Sequence, residues 1–496
     1  MRSAAVFGID AAPVTIEVDV SFGLPAFTVV GLPDASVRES RDRIRSAIRN
    51  SGFDFPQHRI VVNLAPADVR KAGSSFDLPI ALGLLAACGV IARRDVDDVL
   101  MLGELSLDGG IQAARGVLPI AAAARRRRFT GLLLPLANSR EAAVVEGLQF
   151  YPVRSLTEAV RALNDPHPVA LEPEPAGDAP EAVHGDFADV RGQVLARRAL
   201  EIAAAGAHNV LLAGPPGSGK TMMAKRVAGI LPPLTFDEAL EATSIHSVAG
   251  LLPSGTGLLR SRPFRAPHHT VSDVALAGGG PIPRPGEISL AHHGVLFLDE
   301  MPEFSRHALE VLRQPLEDGS VRISRAQRTA VFPARFILIG AMNPCPCGFL
   351  GDPRRGCRCT PGQIDRYASR LSGPLRDRID LTVAVGALAA SEMTSDGSAE
   401  ATSAIRSRVE AARTRQQDRA PFTGAPTNAR LSPRALATAA ALDGRTARLL
   451  HQAAERLGLT ARAFHRIQRV ARTIADLEDS ERVQYPHVAE ALQFRG

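Results

Sequence analysis

Gly214-Pro215-Pro216-Gly217-Ser218-Gly219-Lys220-Thr221 satisfies the phosphate-loop pattern GxxxxGK[ST] at every required position. Glycines there let backbone N–H groups close around phosphate oxygens at the start of a helix. Lys220 would reach the β/γ-phosphates and the Thr221 hydroxyl would hold Mg²⁺. Further along, the apolar run Gly294 to Leu298 ends in Asp299-Glu300, the form of a Walker B strand. Asp299 would hold Mg²⁺ through water, and Glu300 would polarise the water that attacks the γ-phosphate. A third apolar run, Arg335 to Met342, ends at Asn343. An amide at that strand tip suits a sensor that helps place the same water, whereas standing alone it would read as a helix or turn cap. The chemistry expected of this set is Mg²⁺-dependent ATP hydrolysis.

These residues need a strand before the loop, a helix after it, and further strands ending beside it. Asn209 to Ala213 reads as a buried strand and Met222 to Ile230 as a helix. The two later apolar runs, which close on polar residues, read as strands whose tips carry the site. The segment Asn164 to Asp186 is rich in proline and acidic residues, and Ala389 to Glu400 is Ser-, Ala- and Glu-rich. Both read as linkers. The expected organisation is a domain over 1–163, a linker over 164–186, an ATPase core over 187–388, a linker over 389–400 and a helical region over 401–496. In the first domain, Val14 to Val20 alternates as a half-buried strand, Ser36 to Ser51 reads as an amphipathic helix, and Arg59 to Leu64 reads as a strand.

A chain of 496 residues is too long for a single core. It has no tryptophan and few aromatics, which argues against nucleic-acid binding by base stacking. The net charge of +6 mildly favours a polyanionic partner. Lys71, Lys220 and Lys225 are its only lysines, so arginine carries most of the positive charge. The four-arginine run Arg125 to Arg128 reads as a solvated helix end. Asp10 interrupts the N-terminal apolar stretch, and the longest apolar run, Leu78 to Ala92, is too short to span a bilayer. That run reads as a core helix. No signal peptide and no membrane contact are expected, and the expected location is cytoplasmic.

Cys88 stands alone, while Cys345, Cys347, Cys357 and Cys359 form two close pairs. Four thiols so spaced can close a tetrahedral structural Zn²⁺ site, with free reduced thiols as the alternative. The adjacent pair His268-His269 has no spaced partner, which is weak support for a metal.

Part of the first domain resembles the proteolytic domain of Lon, through Gly73-Ser74-Ser75-Phe76-Asp77-Leu78-Pro79, Gly103-Glu104-Leu105-Ser106-Leu107-Asp108-Gly109 and Leu134-Pro135-Leu136-Ala137-Asn138. The resemblance implies a ribosomal-S5-like α/β fold and sets the nucleophile at Ser75. The activating lysine would fall near Ile120, where there is none. A serine hydroxyl without a base is a poor nucleophile, so assembly or binding is expected rather than peptide hydrolysis.

Arg262-Pro263-Phe264-Arg265-Ala266-Pro267-His268-His269-Thr270, Pro283 to Gly294, Ser372-Gly373-Pro374-Leu375-Arg376-Asp377-Arg378-Ile379-Asp380 and Val470 to Leu477 extend the resemblance to the whole chain. Together these blocks resemble the ComM/YifB family of magnesium-chelatase-like AAA+ ATPases. Membership implies an α/β AAA+ phosphate-loop core, a C-terminal helical lid and a homo-hexameric ring with ATP sites between subunits. For ComM-type members it also implies branch migration of recombination intermediates, with branched or single-stranded DNA and recombination proteins as partners. A chelatase-type chaperone acting on a protein or metal-insertion partner is the alternative, and an ATP-dependent protease is a third, weaker one.

The resemblance also assigns roles. Arg378 matches the arginine finger, with an ion pair to Asp377 or Asp380 as its alternative; Arg462 matches sensor 2, with a solvated helix face as the alternative. Asp189-Val190-Arg191-Gly192-Gln193 resembles the loop that packs on adenine, which makes Gln193 a nucleotide contact. The segment Ser320 to Phe332 resembles a pre-sensor-1 hairpin, whose Arg322, Arg325 and Arg328 would touch DNA phosphates without reading sequence. An exposed charged hairpin is the plainer reading. Arg262 to Gly280 resembles the helix-2 insert.

Overall fold

Among the described residues the fold is organised by a seven-stranded sheet, a five-stranded sheet and a C-terminal set of helices, with three two-stranded sheets beside them. The computed structural model describes every residue except 68–70, 72, 93–95, 166–184, 254, 281–282, 325–328, 353–354, 388–399 and 496. The segments read as linkers therefore fall almost wholly outside the described residues.

The N-terminal sheet has seven strands, in the order Ala26–Val30, Arg59–Ala65, Asp10–Ser21, Arg2–Phe7, Val99–Met101, Gly131–Pro135 and Gln149–Val153. Its Arg2–Phe7 and Asp10–Ser21 strands pair antiparallel, while Val99–Met101, Gly131–Pro135 and Gln149–Val153 run parallel. The helix Ala35–Asn50 starts where the Asp34 carboxylate accepts the Val37 N–H at 2.9 Å. A second helix, Asp77–Ala87, is buried from Asp77 to Leu85, since apolar side chains on every face leave no solvent side. It stops before Cys88, which is exposed, so the apolar run to Ala92 overstates the core helix.

The second sheet holds five strands in the order Phe264–Arg265, Val295–Leu298, Ile337–Met342, Val210–Ala213 and Leu381–Ala384, all parallel. Their side chains divide between two cores. Val210, Leu212, Phe297 and Ile339 face a core shared with the C-terminal helices. Leu211, Leu296, Leu298 and Leu338 face another core with Leu276, Ile288 and Met301. Burial on both faces explains why these strands are continuously apolar. Phe264–Arg265 is the edge strand of this sheet, so the first residues expected in an insert belong to the core instead.

The C-terminal region is helical, over Thr402–Thr423, Pro433–Ala439, Gly444–Leu457, Ala461–Leu477 and Tyr485–Gln493. Asp476, fully buried on Ala461–Leu477, ties that helix to Thr402–Thr423 and to the short turn Asn428–Arg430. Its carboxylate takes Arg419 Nη1 at 2.8 Å, Arg472 Nη2 at 2.9 Å and Asn428 Nδ2 at 2.7 Å. The N-terminal part docks on the helix Phe236–Ala249, where Gly116 N donates to Ser247 O at 3.2 Å and the Ser247 hydroxyl donates to the buried Glu141. Among the described residues, no helix is long and apolar enough to cross a membrane.

Candidate nucleotide-hydrolysis site

The loop 214–219 leaves the carboxyl end of the strand Val210–Ala213, between the ends of its neighbours Ile337–Met342 and Leu381–Ala384. Such carboxyl ends are where open parallel sheets receive ligands. Gly214 N donates to Met342 O at 3.1 Å, and a Cβ on Gly214 would overlap the Val385 carbonyl, so no other residue fits. Gly217 and Gly219 have φ of 76° and 86°, the left-handed region that turns successive N–H groups toward one point. The helix begins at Lys220, two residues earlier than expected, which puts Lys220 and Thr221 in its first turn at the positive end of the helix dipole.

Lys220 is buried, and its ammonium donates to Gly214 O at 2.7 Å, to Pro215 O at 2.9 Å and to Asn343 Oδ1 at 3.3 Å. Burial lowers its pKa from the ordinary lysine value, and the charges of Asp299 and Glu300 oppose that shift. Thr221 Oγ1 donates to Asp299 Oδ2 at 2.6 Å, and Glu300 N donates to the other Asp299 oxygen at 2.9 Å. Glu300 sits at φ 48° with its side chain half exposed, so the strand end aims one carboxylate inward and the next outward. The structure thus brings together Lys220, Thr221, Asp299 and Asn343, with Glu300 at their margin.

Gln193 caps the helix Val194–Gly206 at φ 52°, and its amide donates to Gly386 O at 2.7 Å, next to the Val385 that packs on Gly214. Val194 and Leu195 beside it are exposed apolar side chains. Sequence reasoning missed three neighbours of the site. His269 Nδ1 lies 3.5 Å from Glu300 Oε2. Burial pushes the Tyr367 phenol up to about 12, against a backbone hydrogen bond from Asn343. Gly348 lies against Pro216 in the loop itself. The adjacent histidines of the quoted block were the only signal for the first; the other two leave none.

Arg378 and Arg462 lie elsewhere. Both line a cavity of about 600 Å³ together with Asn209, Gly294, Ile337 and Asp380. Asn209, Gly294 and Asp380 immediately precede the strands whose other ends carry the phosphate loop, Asp299 and Val385. Each four-residue strand spans about 13 Å, so the arginines stand at the edge of the sheet opposite the loop of their own chain. Arg378 pairs with Glu317 and donates to Pro374 O at 2.7 Å. The alternative partners are otherwise engaged: Asp377 pairs with Arg466 at 3.4 Å and Asp380 accepts Asn209 N at 3.0 Å. Arg462 is exposed.

In the same cavity wall, His293 meets a second cluster. Glu241 Oε2 is 2.8 Å from Nε2 of both His292 and His293. Arg335 N donates to His292 Nδ1 at 2.9 Å, so the His292 proton is on Nε2 and points at Glu241. That arrangement gathers two histidines on one carboxylate oxygen.

The hairpin pairs Ser320–Ser324 with Thr329–Pro333, setting Arg322 opposite Val331 and Ser324 opposite Thr329. Arg322 is exposed, while Val321 and Ile323 face the core. Arg325 and Arg328 lie outside the described residues. In the N-terminal part, Ile120 is buried among apolar side chains, the Lys71 ammonium donates to Pro66 O, and Ser74 donates to Glu104. The His268 and His269 rings lie tilted with centroids 4.1 Å apart, and they belong to neither candidate metal-ligand cluster found among the described residues. The four clustered cysteines form one of those.

Family models cover most of the chain. Residues 16–138 match "Subunit ChlI of Mg-chelatase", 186–393 match "Magnesium chelatase, subunit ChlI", and 399–495 match its C-terminal part. The chain is 44% identical to the competence protein ComM of Haemophilus influenzae over 500 residues, 99% of this chain and 96% of the relative. It is 44% identical to YifB of Salmonella typhimurium over 100% of this chain and 96% of that protein. A shorter similarity, 28% over 162 residues, links 32% of this chain with 23% of the magnesium-chelatase 67 kDa subunit of Chlorobaculum tepidum.

Proposed function

Because the chain belongs to the ComM/YifB family of magnesium-chelatase-like ATPases, we propose that it is an ATP-driven ring motor acting on DNA, promoting branch migration or strand separation on recombination intermediates. The observation that carries this reading is the division of the catalytic set. Lys220, Thr221, Asp299, Glu300 and Asn343 gather at one edge of the sheet, and Arg378 and Arg462 line a cavity at the other. An arginine that cannot reach its own triphosphate serves a neighbour's, where it meets the charge that builds on the transferring phosphoryl group. Head-to-tail contact of that kind closes into a ring, and a homo-hexamer is the closure we propose.

Mg²⁺ would be held by Thr221 and, through water, by Asp299. Lys220 would exchange its loop carbonyls for phosphate oxygens, with Gln193, Val194 and Leu195 framing the base. Glu300 would orient the attacking water, helped by Asn343. Arg322 stands exposed on the hairpin, a position suited to sequence-independent phosphate contact; Arg325 and Arg328 would join it. One relative's name ties it to competence, and the +6 charge suits a polyanion. We assign 1–163 to a Lon-like assembly domain without peptidase activity, 187–388 to the motor and 401–496 to a lid. A buried Ile120 where a catalytic lysine would stand supports the loss of peptidase chemistry.

The three family models, all of a chelatase subunit, favour a second reading: a chaperone that remodels a protein partner. ATPase rates with and without single-stranded, duplex and forked DNA separate the two. Stimulation by DNA supports the motor. A rate indifferent to all three sinks it and leaves the chaperone.

A further inference from the structure

The four cysteines leave the strand Ile337–Met342 just past Asn343 and return before the helix Pro361–Ala368. All four Sγ atoms lie within 4.8 Å of one another. Cys345 Sγ is 3.4 Å from Cys347 Sγ, and Cys357 Sγ is 3.7 Å from each of them. A tetrahedral zinc with Zn–S of about 2.3 Å requires sulfurs about 3.8 Å apart. A disulfide requires about 2.05 Å, so these thiols are gathered without being bonded. Backbone N–H groups already point at sulfur, from Cys347 to Cys359 Sγ and from Cys359 to Cys357 Sγ, each at 3.4 Å. Such donors stabilise thiolates, and Arg358 stands between the second pair. Cys345 is buried and the other three are half-buried, which suits a closed structural site.

The same loop touches the phosphate loop. Gly348 turns back with its N–H on Cys345 O at 3.0 Å and φ of 84°. A Cβ there would stand 2.6 Å from Pro216 Cδ and 3.9 Å from Asn343 Cγ. We propose that Cys345, Cys347, Cys357 and Cys359 bind one Zn²⁺ that braces the roof of the nucleotide pocket, through Gly348 on Pro216 and through Asn343. The metal takes no part in hydrolysis, because four thiolates leave it no open position. The brace rests on the nucleotide reading above; the metal site does not.

The experiment therefore measures metal and nucleotide separately. Mass spectrometry of full-length protein purified without chelators should find about one zinc per chain, and Co²⁺ substitution should give thiolate-to-metal absorption. Cys357→Ser with Cys359→Ser should lose the metal, and its Kd for a fluorescent ATP analogue should rise on the order of tenfold. Gly348→Ala should keep the zinc yet weaken ATP by a similar factor, a control that leaves every ligand in place. Zinc-free wild type without cobalt–thiolate bands, or a disulfide among the four, overturns the site. A serine variant without metal that binds ATP like wild type overturns the brace. Wild type that holds zinc but binds no ATP overturns the brace and the nucleotide reading, while the metal site stands.

Discussion

Thr221 Oγ1 and Asp299 Oδ2, 78 residues apart, meet at 2.6 Å. This bond joins the first turn of the phosphate-loop helix to the tip of the Walker B strand, and it brackets the space a divalent cation would enter. The second Asp299 oxygen is held by the Glu300 N–H at 2.9 Å, so hydrogen bonds orient both oxygens of the carboxylate. Preorganisation of this kind lowers the reorganisation needed when charge develops.

Lys220→Ala should abolish nucleotide binding, because the ammonium that now spans Gly214, Pro215 and Asn343 is the group aimed into the loop. Glu300→Gln should bind ATP normally and hydrolyse it about 10²–10⁴-fold more slowly, since it loses water polarisation and keeps Thr221 and Asp299. Equilibrium binding and single-turnover assays read the two effects. Near-normal turnover in the glutamine variant would give the base to another residue.

Arg378→Ala should still bind ATP in its own loop and leave the neighbour's site slow, by about 10³-fold or more. Mixing it with Lys220→Ala subunits should restore part of the activity, because some interfaces regain an intact loop and an intact arginine. Absence of rescue, in rings shown to exchange subunits, would remove Arg378 from the hydrolysis site.

Replacing Arg322, Arg325 and Arg328 together should eliminate DNA stimulation and fork migration, while basal ATP hydrolysis persists. DNA affinity of the parent should fall with salt, with a log–log slope steeper by about 0.9 per phosphate contact than that of the variant. Unchanged migration would take the hairpin out of the mechanism.

Acid should weaken the core through His292. Burial holds its pKa down at about 4, below the ordinary 6.5, so the folded protein keeps it neutral while the unfolded chain protonates. Its contribution is complete above pH 6.5 and is lost as pH falls toward 4, on the order of 3 kcal/mol at about 1.36 kcal/mol per unit. Glu241, held down at about 2 chiefly by the His292 hydrogen bond, adds a loss only below its ordinary 4.5. Urea midpoints followed by circular dichroism from pH 7.5 to 4.5 should fall in wild type and flatten in His292→Gln. Parallel curves would assign the acid lability to other groups.

The amino-acid order alone determined the phosphate loop, Asp299, Glu300 and Asn343. Each is local: glycines in a tight turn and a polar residue at the tip of an apolar strand depend on nearest neighbours along the chain. The hairpin at 320–333 was legible for the same reason, since alternation sends Val321 and Ile323 inward and Arg322 out. Only the tertiary structure decided what crosses the chain. It set Val210–Ala213 between the strands at 337–342 and 381–384, and it made Phe264–Arg265 an edge strand. It gave Arg378 to Glu317 instead of Asp377 or Asp380, brought His269 to Glu300, and pressed Gly348 onto Pro216. Strand order follows from which crossover helices cover each face, and side-chain partners follow from where those strands end. Both are long-range packing outcomes, which the spacing of residues along the chain does not encode.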